Sequence, residues 1–131
     1  MVNGVFDLLH PGHHHLLTEA RKHGDALLVA INSDDSTRRL KRHGRPVVPE
    51  DVRAKSLADL RVVDRVVVFN EDTPERLILA TKPNVLVKGA EYENQRVVGA
   101  DLVSNRGGQI IYVPMLPGYS TTKFLEEAYV P

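Results

Sequence analysis

Short apolar runs alternate along the chain with longer segments whose apolar positions recur at helical spacing. Residues 2–5 read as a first strand. Residues 12–23 read as a helix, with Leu16, Leu17 and Ala20 on one face and Gly24 as its stop. The unbroken run Ala-Leu-Leu-Val-Ala-Ile at 26–31 predicts a strand buried on both faces. A polar stretch over 32–49 follows, with a short helix at 36–40. Residues 49–60 read as a helix with Val52, Leu57 and Leu60 facing inward. Residues 65–69 form the third strand. Thr73 is the expected N-cap and Pro74 the first helical residue of a helix running to 81. Residues 84–88 form the fourth strand, 97–105 a helix ended by Gly107 and Gly108, 109–113 the fifth strand and 120–129 a last helix.

Regular alternation of strand and helix predicts an α/β domain. The expected architecture is a doubly wound, Rossmann-like, five-stranded parallel sheet of order 3-2-1-4-5 with helices on both faces. In such sheets ligands bind at the carboxyl ends of the strands, where the winding reverses. That point is the end of strand one, from Gly4 to His13. Residues 1–131 read as one domain, without internal repeat or linker. The chain opens almost at once on an apolar strand, which leaves room for native residues upstream.

Composition then narrows the function. Lys plus Arg and Asp plus Glu number 17 each, so no net field recruits nucleic acid or an anionic membrane. Aromatic residues make up 5% of the chain, too few for a base-stacking platform. Cysteine is absent, which excludes disulfides, thiolate metal sites and a cysteine nucleophile and fits a reducing, cytoplasmic compartment. No signal peptide or bilayer-length apolar stretch is present.

The chemistry concentrates in two loops. No Walker-type phosphate loop and no G-x-G-x-x-G follows the first strand. The chain instead reads Asn3-Gly4-Val5-Phe6-Asp7-Leu8-Leu9-His10-Pro11-Gly12-His13. His10 and His13 are three apart at a helix start, so their rings can converge beside unpaired backbone N–H groups, a clamp for an oxyanion. A two-histidine metal site from His10 and His14 is a weaker reading, because Pro11 and Gly12 interrupt a regular helix and a third ligand is lacking; no metal site is assigned. His14 and His15 are expected at the surface or in packing. After strand five, Pro117-Gly118-Tyr119-Ser120-Thr121-Thr122 joins hydroxyl donors to a helix start, a phosphate-binding arrangement that alone is equally an ordinary cap. Between them lies the basic stretch Arg38-Arg39-Leu40-Lys41-Arg42-His43-Gly44-Arg45, followed by Arg53. Most of it reads as a solvated loop, with one or two residues reaching the cleft.

Residues 6–13 resemble the F-D-x-L-H-x-G-H signature of the cytidylyltransferase-like nucleotidyltransferases, and Ser120-Thr121-Thr122 resembles the S-T-T element of that family. Leu40-Lys41-Arg42-His43-Gly44-Arg45-Pro46-Val47, Glu71-Asp72-Thr73-Pro74 and Leu86-Val87-Lys88-Gly89 are similar to the D-glycero-β-D-manno-heptose 1-phosphate adenylyltransferase branch. The resemblance implies transfer of AMP from ATP to a sugar 1-phosphate, with Mg²⁺ accompanying the ATP. His10, His13 and Lys41 match catalytic positions. Val5, Phe6, His10, His13, Lys88, Gly89, Ser120, Thr121 and Thr122 match nucleotide-binding positions. Asp7, Lys41, Arg53 and Glu91 are expected on the substrate. The branch usually reads K-G-G-D-Y where this chain has Lys88-Gly89-Ala90-Glu91-Tyr92, a departure at the sugar or ribose contact. Glycerol-3-phosphate cytidylyltransferases carry an arginine where Met115 stands here, which favours adenylyl over cytidylyl transfer. Cytidylyl transfer to glycerol 3-phosphate or a related alcohol phosphate is the alternative. Relatives imply a homodimer that engages neither nucleic acid nor membrane.

Overall fold

The computed structural model describes residues 1–41 and 44–116. Strand β1 (Val2–Gly4) leads into helix α1 (Pro11–Arg21), followed by β2 (Leu28–Asn32), α2 (Asp34–Leu40), α3 (Glu50–Ala58) and β3 (Arg65–Phe69). The chain continues through α4 (Glu75–Thr81), β4 (Val85–Gly89), a 3₁₀ turn (Ala90–Tyr92), α5 (Ala100–Ser104) and β5 (Gln109–Val113). The third and fifth strands have the bounds expected of them. The helix expected at 120–129 lies outside the described residues.

All strand pairs are parallel, as the α/β pattern requires, but they fall into two sheets rather than one: β1-β2-β3 and β4-β5. The two sheets meet at Met1. Its backbone N donates to Val85 O at 2.6 Å, and Val87 N donates to Met1 O at 2.9 Å. β1 is three residues long and turns away after Gly4, too short a ladder to carry regular pairing on both sides.

Alternation along the strands divides the core. Val2, Val29, Ile31, Val87 and Val113 pack with Leu17 of α1 and Leu57 of α3. Met1, Ala30, Phe69 and Leu86 pack on the other face with Ile78 of α4 and Val103 of α5. Both faces are thus covered, which is why the strands read as continuous apolar runs.

Three local expectations change. Val52, expected inward, is 49% exposed, while Arg53 beside it is buried at 1%. The interior at that point is built from carbonyl oxygens and a carboxylate, so a donor rather than a methyl group satisfies it. The helix expected from residue 97 starts only at Ala100, because Gly99 has φ +87°, a left-handed conformation outside a right-handed helix. Pro74, not Thr73, occupies the cap of α4, and no side chain caps it.

Candidate active site

The carboxyl ends of β1, β2 and β4 open into a cleft of about 360 Å³. Gly4, Asn32 and Gly89 end those strands in its wall. The location follows the rule for wound sheets, since it lies where the chain passes from the β1-β2-β3 side to the β4-β5 side.

Phe6 carries the first turn of the chain after β1. It has φ +51°, unusual for a bulky residue and found where surrounding structure over-determines the backbone. Its ring lies against Gly4, where even a Cβ would come to 3.2 Å from Phe6 Cε2. The turn delivers His10 to the N-cap of α1 and Pro11 to its first residue.

The two histidines form a reciprocal cap. Gly12 N donates to His10 Nδ1 at 3.1 Å, and His10 N donates to His13 Nδ1 at 3.4 Å. Their rings stack at 3.8 Å, and Phe6 packs on His13 at 5.1 Å. A backbone N–H can only donate, so His10 Nδ1 is the acceptor and its ring proton sits on Nε2. This corrects the expectation of unpaired backbone donors at the helix start. Pro11 has no N–H, Gly12 N is capped by His10, and the N–H groups of His13 and His14 both bond to His10 O.

Burial disfavours the charged form of both rings. His13 is lowered from 6.5 to about 4, first by burial and then by His10 and His14, with a bond to the Leu8 backbone acting against them. His10 is lowered by burial and then by His14. His13 borders the cleft, and His10 stacks behind it.

Val5, Phe6, Lys41, Lys88, Gly89 and Glu91 also border the cleft. Lys41 is exposed at the end of α2. Burial lowers the Lys88 pKa, with Glu91 opposing, and the Lys88 ammonium lies 5.5 Å from the Tyr92 ring centroid.

Two expected substrate ligands are engaged elsewhere. The Asp7 carboxylate has no exposed surface. It pairs with Arg45 Nε at 2.8 Å and accepts from Val47 N at 3.0 Å and Val48 N at 2.8 Å. Arg53 donates from Nε to Val48 O, from Nη1 to Val5 O and Asn32 O, and from Nη2 to Asp34, all at 2.7–2.8 Å. Neither borders the cleft among the described residues. Both act as ties that hold the loop after α2 against the turn after β1.

Within the basic stretch, Arg39 pairs with Asp72 and donates to Asn70 O, pinning α2 to the loop after β3. Arg38 pairs with Asp35 at the surface. Asn3, Asn32, Asp72, Tyr92 and Met115 line the cleft as well. Periodicity carries no mark of this, because the cleft is made by strand ends brought together through space. His15, expected at the surface, places its Nε2 3.1 Å from Pro114 O, holding the chain after β5 beside α1. Met115 follows in the cleft wall. Ser120, Thr121 and Thr122 lie outside the described residues.

A parallel α/β fold with a histidine-capped helix at its switch point is the framework of a nucleotidyltransferase domain. The chain belongs to the cytidylyltransferase-like family, whose profile matches residues 1–127. It is 52% identical over 126 residues to the bifunctional protein HldE of Rhodopseudomonas palustris (strain HaA2) and 53% identical over 129 residues to that of Koribacter versatilis. These matches cover 96% and 98% of the chain but 26% of each relative, so the chain spans about a quarter of their length. The lipopolysaccharide core biosynthesis protein from Thermoplasma volcanium superposes with a TM-score of 0.69 at 30% identity, over 88% of this chain and 93% of that one.

Proposed function

We propose that this domain transfers AMP from ATP to a sugar 1-phosphate, D-glycero-β-D-manno-heptose 1-phosphate being the favoured acceptor, and releases pyrophosphate. The observation that carries the reading is the stacked His10–His13 pair, with His13 on the same cleft as Lys41 and Lys88. The likeness to the bifunctional proteins HldE and to the heptose branch supports the choice of acceptor. Met115 in the cleft wall, where glycerol-3-phosphate cytidylyltransferases carry arginine, supports ATP over CTP. The same reading takes the two sheets as one layer of order 3-2-1-4-5, supported by the backbone bonds of Met1 to β4.

In this reading a phosphate oxygen of the acceptor attacks the α-phosphorus of ATP in line. The bond from that phosphorus to the bridging oxygen of the β-phosphate breaks, and pyrophosphate leaves with the electron pair. No protein nucleophile is needed. Imidazole N–H groups of His10 and His13 donate to oxygens whose charge grows in the transition state, Lys41 neutralises phosphate charge, and Ser120, Thr121 and Thr122 are proposed to hold the β- and γ-phosphates. Of the carboxylates bordering the cleft, Asp72 is already paired with Arg39, while Glu91 stands by Lys88. Mg²⁺ therefore fits best as an ion carried by the triphosphate oxygens, where it neutralises charge.

Pyrophosphate release measured with ATP and with CTP against a panel of sugar and alcohol phosphates tests the proposal. Turnover is expected with ATP and heptose 1-phosphate. Turnover with CTP and glycerol 3-phosphate alone replaces this reading with the cytidylyl one.

A further inference from the structure

The exit from β5 is held by one side chain. β5 ends at Val113, opposite Gly89, which borders the cleft, so the chain leaves the sheet at the cleft rim. Pro114 comes next. It has no N–H and cannot extend the ladder. Among the described residues no backbone hydrogen bond reaches residues 114–116. The one side-chain bond to them joins His15 Nε2 to Pro114 O at 3.1 Å, across 99 positions of sequence. A carbonyl oxygen only accepts, so the ring proton there sits on Nε2.

Helix α1 thus serves the cleft in two ways. His13 and Leu16 border it directly. His15 does not border it, but bonds to the residue before Met115, which does. Pro114 C and O share one planar peptide unit with Met115 N and Cα. Holding that oxygen therefore holds the plane from which the Met115 side chain springs. The side chain itself is unbranched and adaptable, so its place depends on the backbone that carries it. Pro114 is exposed and Met115 only half-buried, so packing alone pins them weakly.

We propose that His15 is a positioning residue for nucleotide binding: its bond to Pro114 O holds Met115 in the cleft wall, where the thioether lies against the ligand. His15 touches no ligand and acts only through that peptide plane. Without the bond, residues 114–116 sample other positions, and only the fraction in place binds, so affinity falls by that fraction. The bond is exposed, so its loss scarcely moves global stability. Contact of Met115 with a nucleotide rests on the transferase reading; the tether itself does not.

Wild type, His15→Ala and His15→Gln, each with Met115 or with Met115→Ala, test it by isothermal titration with ATP and Mg²⁺ and by melting curves. The chain has two methionines, so methyl-labelled protein shows two methionine signals, and Met115→Ala assigns them. His15→Ala should shift the Met115 methyl signal and weaken ATP binding about fivefold at an unchanged melting temperature. His15→Gln keeps an N–H donor and should restore both. On the Met115→Ala background, His15→Ala should cost less than about twofold. An unmoved Met115 signal overturns the proposal, as does a fivefold loss undiminished by Met115→Ala. A lowered melting temperature that Gln fails to restore makes His15 a packing residue and overturns it as well. The methyl signals need no nucleotide. If they and ATP binding respond as expected while no acceptor yields pyrophosphate, the transferase reading alone falls and the positioning role stands.

Discussion

His13 shows how one side chain can report on both stability and binding. Its pKa in the folded chain is about 4, against 6.5 when unperturbed. Between those values the unfolded chain takes up a proton that the folded chain refuses, so the unfolded state binds more protons and stability rises with pH. The His13 contribution is fully present above pH 6.5 and is lost as pH falls toward 4. A melting series from pH 7.5 to 4.5 should slope downward on acidification, and His13→Asn should flatten it; an unchanged slope would assign it to other groups. Arg53 makes the opposite point about a charged residue in sequence. Buried against three carbonyls and Asp34, it should cost about 3–5 kcal/mol when replaced by Ala, because Asp34 loses its partner and the carbonyls lose their donor. Chemical denaturation measures this, and a selective rise in the acceptor Michaelis constant at unchanged stability would restore Arg53 as a substrate ligand.

At the scale of elements, the proposed site makes α1 couple folding to chemistry, because its cap residue is also a proposed catalytic one. His10→Ala removes the acceptor for Gly12 N and should cost about 1 kcal/mol of stability. It should also lower turnover by about 10²–10³. Asn is among the preferred cap residues, so His10→Asn should regain the melting temperature and leave turnover low. Recovery of both would reduce the imidazole to a cap. The loop after α2 depends on Asp7 in the same way. One carboxylate gathers Arg45, Val47 N and Val48 N, so Asp7→Ala should destabilise by about 3–5 kcal/mol and raise the Michaelis constant for the phosphate proposed to meet Lys41. Lys41→Ala, at an exposed position, should impair kinetics alone. Melting curves and steady-state kinetics on the two variants separate these outcomes.

For the whole molecule, the cleft joins the ends of strands from both sheets with the first helix and the chain after β5. A ligand there binds only the folded state, so ATP with Mg²⁺ at a hundred times its dissociation constant should stabilise the chain by about 2.7 kcal/mol. A thermal-shift comparison of ATP with Mg²⁺, ATP with a chelator and CTP with Mg²⁺ measures this. A larger shift for CTP would overturn the assigned nucleotide preference. No helix among the described residues is long and apolar enough to cross a membrane.

The sequence on its own determined the order of the described strands and helices, the bounds of β3 and β5 and the histidine pair at the first turn. Those features are local: apolar spacing, cap chemistry and glycine positions act within a few residues of one another. Tertiary structure alone decided that Arg53 turns inward while Val52 stays in water, that Asp7 holds a loop 40 and 41 residues away, and that Asn3 reaches the cleft wall. A carboxylate or guanidinium looks the same in sequence whether it faces a ligand or a distant backbone. Only the chain's return past it supplies the partners that choose between those fates.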